Sequence, residues 1–324
     1  MSPLHTPTSK PAEPSSRGSG APGRAGWTAP TLIGVGVDGT PSGRDAVVLA
    51  SLLARPTRAE LMMIAIHQEP LYPMVLPKGM NWATLERRAR AMLADTRESL
   101  APEARLAVHP DVLVWRGLRH VVRLEHRDLL VVGSAHDAAP GRVRLGKTAR
   151  ELFGHLECPL ALAPSGMHAG AAPRLSRIGL GFTGDPESRA ALSLACSIAS
   201  AAAGELHVLG VVEDRAAGGM RLEDNVLGGD VIVREQLVSL LDEEAAAVTG
   251  VNAPRTHAEV ASGRPDEALK ALSEHVDLLV IGSSHADAPG RVQLGRTGAT
   301  VLDGAACPVL VVPRPRLRNH LGTR

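Results

Sequence analysis

The chain repeats itself. The stretch DLLVVGSAHDAAPGRVRLGKT beginning at Asp128 returns as DLLVIGSSHADAPGRVQLGRT beginning at Asp277, about 149 residues on, with roughly two-thirds of its positions identical. Such a duplication constrains the fold strongly, because whatever structure one copy adopts the other must adopt too. The likeness continues into ECPLALAP, ending at Pro164, and ACPVLVVP, ending at Pro313. It also reaches the start of each copy, where TLIGVGVDGTPSGRDAVVLA from Thr31 matches RIGLGFTGDPESRAALSLA from Arg177. A length of 324 residues accommodates two domains of ordinary size, each with its own core. The expected layout is one domain over 31–164, a linker rich in Gly, Ala and Pro over 165–175, and a second domain over 176–313. An arm over 1–30, rich in Pro, Ser and Gly and almost free of aliphatic residues, cannot offset its ordering entropy and is expected to be disordered. The basic tail over 314–324 is expected to be loose as well.

Within copy one, short apolar runs at 32–37, 61–66, 112–115, 129–132 and 160–163 alternate with helix-length patterns. Continuous apolar runs separated by helices indicate a parallel sheet covered on both faces. The predicted fold class is therefore α/β, with two tandem open five-stranded parallel sheets and helices on both faces of each. In such sheets ligands bind beyond the carboxyl ends of the strands, where the strand order reverses. The loops after the first and fourth strands are the places to look.

Composition narrows the functions. Lys and Arg total 35 against 34 for Asp and Glu, a net charge of +1, so no global basic excess argues for nucleic acid or an anionic membrane. Aromatic residues are 2% of the chain, too few for the stacking platforms of single-strand binders. No apolar run reaches about 18 residues and no signal-like segment opens the chain, so a cytoplasmic protein is the expectation. Three dispersed cysteines, Cys158, Cys196 and Cys307, suit neither a disulfide framework nor a zinc motif.

After the fourth apolar run of copy one come Gly133 and Ser134, then His136, a loop, and Gly146, Lys147 and Thr148 at the start of a helical pattern. Glycines permit close backbone approach, and amides at a helix start face outward to receive an anion. This arrangement resembles the universal stress proteins, whose nucleotide-binding members carry G-x2-G-x9-G-(S/T) between the fourth strand and the last helix. Gly133 and Gly146 fit the first and last glycines, His136 stands at the second glycine, and Lys147 stands at the hydroxyl. Copy two offers Gly282, Ser283, His285, Gly295, Arg296 and Thr297 at the matching places. The resemblance covers nearly all of both copies. It implies a Rossmann-like domain of the adenine-nucleotide-binding type, with ATP, with or without magnesium, as the ligand. It also implies that Asp38 accepts from the adenosine end, that Ile66 and Val211 wall the adenine, and that Lys147 or Arg296 replaces the hydroxyl contact by charge. Copy two has Thr183 where copy one has Asp38, which makes copy one the better site. Pairing of the two domains through their fifth strands is implied too, leaving further homo-oligomers and a protein partner of unspecified kind open.

A rival reading exists, because residues 141–148 satisfy G-x4-G-K-T, the P-loop formula. A P-loop starts almost directly at a strand end, whereas Gly141 lies well beyond Val132, and Arg296 breaks the formula in copy two. Glu125, His126 and Asp128, repeated as Glu274, His275 and Asp277, read as a helix end followed by a strand entry. No nucleophile–base pair, metal-ligand spacing or carboxylate pair recurs in both copies, so the expected function is a stress-associated binding module with no catalytic or metal-ligating residues. A nucleotide-independent scaffold is the alternative, and slow ATP hydrolysis, which the resemblance allows, is a third reading.

Overall fold

The computed structural model describes residues 27–68, 82–170, 173–212, 235, 239, 254–284 and 290–314. Most of the arm (1–26), residues 171 and 172 of the linker, His285, and all but Arg314 of the tail lie outside the described residues.

The described elements are β1 (Leu32–Gly36), α1 (Pro41–Thr57), β2 (Glu60–Gln68), α2 (Trp82–Leu100), β3 (Arg105–Asp111), α3 (Val114–Leu124), β4 (Leu129–Gly133), α4 (Lys147–Leu152) and β5 (Leu160–Ala163). Copy two supplies β6 (Arg177–Phe182), α5 (Pro186–Ala201), β7 (Glu205–Val212), β8 (Arg255–Ser262), α6 (Pro265–Ser273), β9 (Leu278–Gly282), α7 (Arg296–Leu302) and β10 (Val309–Val312). The strands form one sheet of ten in the order β3-β2-β1-β4-β5-β10-β9-β6-β7-β8. Each half is parallel throughout. The halves meet through the antiparallel pair β5–β10, in register Val309↔Leu162, Leu310↔Ala161 and Val311↔Leu160. Each domain thereby closes the open edge of the other, and all four residues of both strands are buried. The α/β class is as the sequence indicates, with the two five-stranded sheets fused into one.

The third strand differs from the expectation. The apolar run at 112–115 is not a strand but the approach to α3 and its first turn, while β3 is Arg105–Asp111. β3 pairs only with β2, so it lies at the sheet edge, where a half-polar strand carrying Pro110 is tolerated.

Local chemistry fixes the helix starts that flank the site. Thr40 caps α1 by accepting from the Gly43 amide at 3.3 Å, and Asp185 caps α5 by accepting from the Ser188 amide at 2.6 Å, each with Pro in the first turn. Asp128 takes the Thr31 and Leu32 amides, and Asp277 the Ser176 and Arg177 amides, so both tie down the first strand of their copy.

The end of the arm, expected to be disordered, and the start of the linker are both anchored. Trp27 donates its indole N–H to the Pro313 carbonyl at 2.6 Å, and its own carbonyl accepts from the Ser193 hydroxyl at 3.0 Å. The end of the arm thus crosses to the second domain. Buried Asp45 accepts from the Gly166 and His168 amides at 2.9 and 2.7 Å and meets the His168 ring Nδ1 at 2.6 Å, holding the short helical turn Met167–Ala169 on α1. No helix among the described residues is long and apolar enough to cross a membrane.

Candidate nucleotide clefts

In copy one the strand order reverses between β1 and β4, and a cleft of about 950 Å³ opens there at the carboxyl ends. Its lining includes Asp38, Ile66, Gly133, Ser134, His136, Gly146, Lys147 and Thr148, every residue singled out in this copy. Val114 and Leu118 of α3 join Ile64 and Ile66 as the apolar wall. Lys270, Thr300 and Asp303 of the second domain close the far side, so the cleft is built from both halves of the chain.

Two of the singled-out residues serve the fold as well as the lining. A Cβ at Gly133 would fall 2.1 Å from the Ser42 carbonyl oxygen, so only glycine lets β4 pass the first turn of α1. Buried Ser134 donates its hydroxyl to the Ala163 carbonyl at 2.6 Å and accepts from the Arg144 amide at 3.2 Å, which spends that hydroxyl on bringing the loop back to the strand end. Ser283 does the same in copy two with the backbone of Gln293, at 3.0 and 2.6 Å.

The loop amides sort into two groups. Those of Gly141, Arg142, Val143 and Arg144 are bonded to the Ser165, Ala139 and Ala305 carbonyls and the Ser134 hydroxyl, respectively. The amides of Gly146, Lys147 and Thr148 form no hydrogen bond among the described residues. A P-loop needs the first group free for phosphate, and here they are consumed, with Val143 buried against the second domain. The left-handed turn of this loop sits at Gly141, with φ +72°, and at Gly290 in copy two, with φ +92°. His136 stands outside the left-handed region, so a residue with a side chain is accommodated where the motif has its second glycine. The helix after the loop has only six residues, so charge on side chains matters more than its dipole. Arg144 is engaged by Asp137 at 2.8 Å. Lys147 is exposed and makes no ion pair or hydrogen bond through its side chain among the described residues.

At the end of β1, Asp38 Oδ1 accepts from the Thr40 amide at 3.0 Å and the Thr40 hydroxyl at 2.6 Å. Oδ2 has no partner among the described residues, and Asp38 is exposed. Copy two exchanges the partners. The hydroxyl is Thr183 at the strand end and the carboxylate is Asp185 at the helix cap, 2.6 Å apart. Both Asp185 oxygens are then spent, one on Thr183 and one on the Ser188 amide.

The second pocket, of about 320 Å³, is lined by Val211, Gly282, Ser283, Gly295, Arg296 and Thr297 together with Thr183, Asp185 and Leu269. His285 lies outside the described residues. The cysteines are buried and free. Burial pushes the Cys158 thiol far up and that of Cys307 up to about 12, so neither offers a thiolate.

Arg142 and Glu274 pair across the domains. Val143 exchanges backbone bonds with Gly304 and Ala305, while Val292 does so with Gly154 and Leu156, a nearly reciprocal clasp. These interdomain residues, and Lys270 and Asp303, carry no mark in either copy's motif; only the β5–β10 junction brings them together.

Fold and clefts define a paired α/β protein with a cleft at the switch point of each half. The model of the universal stress protein family matches residues 31–164 and again 175–313. A universal stress protein of Archaeoglobus fulgidus is similar in structure, with a TM-score of 0.65 and 15% identity over 88% of this chain and 98% of the other. A Pseudomonas aeruginosa structure described as a putative universal stress protein gives a TM-score of 0.61 and 18% identity over 88% and 94%. A Thermus aquaticus universal stress protein is 44% identical over 71 residues, which is 21% of this chain and 50% of that protein. The chain thus spans about half the length of that curated relative. The chain belongs to the universal stress protein family, as a tandem member with two copies of the domain.

Proposed function

We propose that this tandem protein is a stress-response binding module that takes an adenine nucleotide, ATP in the first instance, in the cleft of copy one. The observation that carries this reading is the pairing of three unbonded amides, Gly146 to Thr148, with the uncommitted ammonium of Lys147 at one end of a large cleft. Anions bind where backbone N–H groups and a cation converge. The opposite end offers the open Asp38 Oδ2 as acceptor for an amine or ribose hydroxyl, and Ile66, Val114 and Leu118 as an apolar wall for the base. A volume near 950 Å³ lies within the usual range for small-molecule sites, with room for a nucleotide and its counter-ion.

The one hydroxyl–carboxylate contact described in the cleft, Thr40 to Asp38, is committed to capping α1, so the function we assign is binding that alters contacts with a partner, without rapid turnover. Because Lys270, Thr300 and Asp303 border the same cleft, a bound nucleotide would touch both domains and bias how they clasp. A cytoplasmic setting fits the three free cysteines. Native mass spectrometry of the full chain purified without added nucleotide tests the reading: an increment equal to an adenine nucleotide is expected. A chain that carries none and takes up none from millimolar ATP would favour the scaffold reading, in which Ser134, Ser283, Gly133 and Gly282 serve the fold alone.

A further inference from the structure

We propose that Glu205, His207 and His257 form a binding site for a divalent transition-metal ion of the zinc class, at the amino ends of β7 and β8. Parallel register sets His207 beside His257, and Glu205 precedes His207 by two residues on the same face of β7. The rings stack with centroids 4.9 Å apart and planes 17° from parallel. Glu205 divides its carboxylate. Oε1 lies 3.5 Å from the Arg255 guanidinium, and Oε2 lies 3.9 Å from His207 Nε2 and 3.6 Å from His257 Nε2. All three donor atoms fall within 4.8 Å of one another. His207 Nε2 is buried and has no hydrogen-bond partner among the described residues, a cost that a bound cation would remove.

Copy one provides an internal control, because its strands superpose in register on those of copy two. Glu60 stands where Glu205 does, Met62 where His207 does, and Arg105 where His257 does. Arg127, just before β4, stands where Val276 does. In copy one the carboxylate is satisfied by guanidinium groups, Arg105 at 3.1 Å and Arg127 at 3.0 Å. Copy two keeps the carboxylate, removes both of these arginines and adds two imidazoles. The two guanidinium contacts of copy one give way to two imidazole nitrogens beside the carboxylate, with Arg255 at 3.5 Å as its remaining cation.

The donor set selects the ion. Imidazole nitrogen with a single carboxylate suits zinc and its neighbours, whereas magnesium and calcium require mostly oxygen. Zinc bonds of about 2.0–2.2 Å place donors roughly 3.3–3.5 Å apart in a tetrahedron, so the set, whose donors lie within 4.8 Å of one another, closes on an ion when the 3.6 and 3.9 Å contacts shorten and the stacked rings turn to aim both nitrogens at one point. All three side chains are partly exposed and free to make that adjustment. Val211, in the second pocket, lies four residues further along β7, roughly 13 Å away at the rise of an extended strand. The metal site is therefore separate from the clefts.

The test is titration of the untagged full chain with cobalt(II), followed by visible absorption, and with zinc(II) by calorimetry. One ion per chain is expected. Replacing ligands with the residues of copy one, His207→Met or His257→Arg, should weaken binding at least tenfold, as should Glu205→Gln, with far-ultraviolet circular dichroism unchanged. The three buried cysteines do not compete. Absence of binding in the wild type, or binding in the three variants as tight as in the wild type, would overturn the proposal.

Discussion

Copy one and copy two share a fold and a loop pattern but spend their polar residues differently at both ends of the strands. At the carboxyl ends, copy one leaves Asp38 Oδ2 and the Lys147 side chain without a partner among the described residues, whereas copy two spends one Asp185 oxygen on capping α5 and the other on the Thr183 hydroxyl. At the amino ends, copy one holds Glu60 between two arginines, whereas copy two surrounds Glu205 with histidines and a single arginine. One scaffold tolerates both sets because the hydroxyl–carboxylate contact after the first strand survives the exchange of its partners. What the contact leaves over for a ligand does not survive. Duplication has kept the turn and divided the chemistry.

The largest effects test how tightly each copy packs its strand against its first helix. Gly133→Ala should cost about 3 kcal/mol or more, because its Cβ would collide with backbone at 2.1 Å, whereas the nearest atom to a Cβ at Gly282 is 2.9 Å away and Gly282→Ala should cost about 1–2 kcal/mol. Urea unfolding of the two variants measures this, and equal losses would remove the packing difference. Lys147→Ala should weaken ATP binding by about 1.5–3 kcal/mol while leaving adenosine binding nearly unchanged, since the ammonium is assigned to phosphate. Arg296→Ala, in the copy without an open carboxylate, should change little in the same calorimetric assay. Asp38→Ala should cost about 1 kcal/mol for both ATP and adenosine, and Thr183→Ala less than half of that.

The smallest effect concerns the amino ends. Hydrogen bonds from Arg127 and then Arg105 hold the Glu60 carboxyl below its ordinary 4.5. A carboxylate with a lowered folded pKa contributes its stability in full above the unfolded value and loses it as pH falls through the folded value. Glu60→Gln should therefore lower stability at neutral pH by less than about 1 kcal/mol, the group being partly exposed, and the difference should fade below the ordinary carboxylate range. Thermal unfolding across acid pH would show it, and a difference that grew in acid would contradict the sign.

Much of this architecture is legible along the chain, for physical reasons that also explain the exceptions. The strands at 32–37, 61–66, 129–132 and 160–163 are buried on both faces and so read as continuous apolar runs. β3 escapes because an edge strand need not be apolar, and the run at 112–115 was drawn off into the approach to α3 instead. Gly133, Gly146 and Lys147 stand out because the loop repeats. Ser134 was legible as a loop residue but not as the hydroxyl that closes the loop, since its partners at Ala163 and Arg144 are remote in sequence. Lys270 and Asp303 were not legible as cleft residues at all, because they reach copy one only through the antiparallel β5–β10 junction. The Glu205 cluster was hidden for a similar reason: its histidines are 50 residues apart, and parallel register alone sets them side by side.

Calorimetric titration of ATP into the full chain and into its Lys147→Ala and Arg296→Ala variants tests the division between the copies most directly. The account predicts one tighter site per chain, weakened by at least tenfold in Lys147→Ala and preserved in Arg296→Ala. Two equal sites, or a single site abolished by Arg296→Ala and untouched by Lys147→Ala, would contradict it.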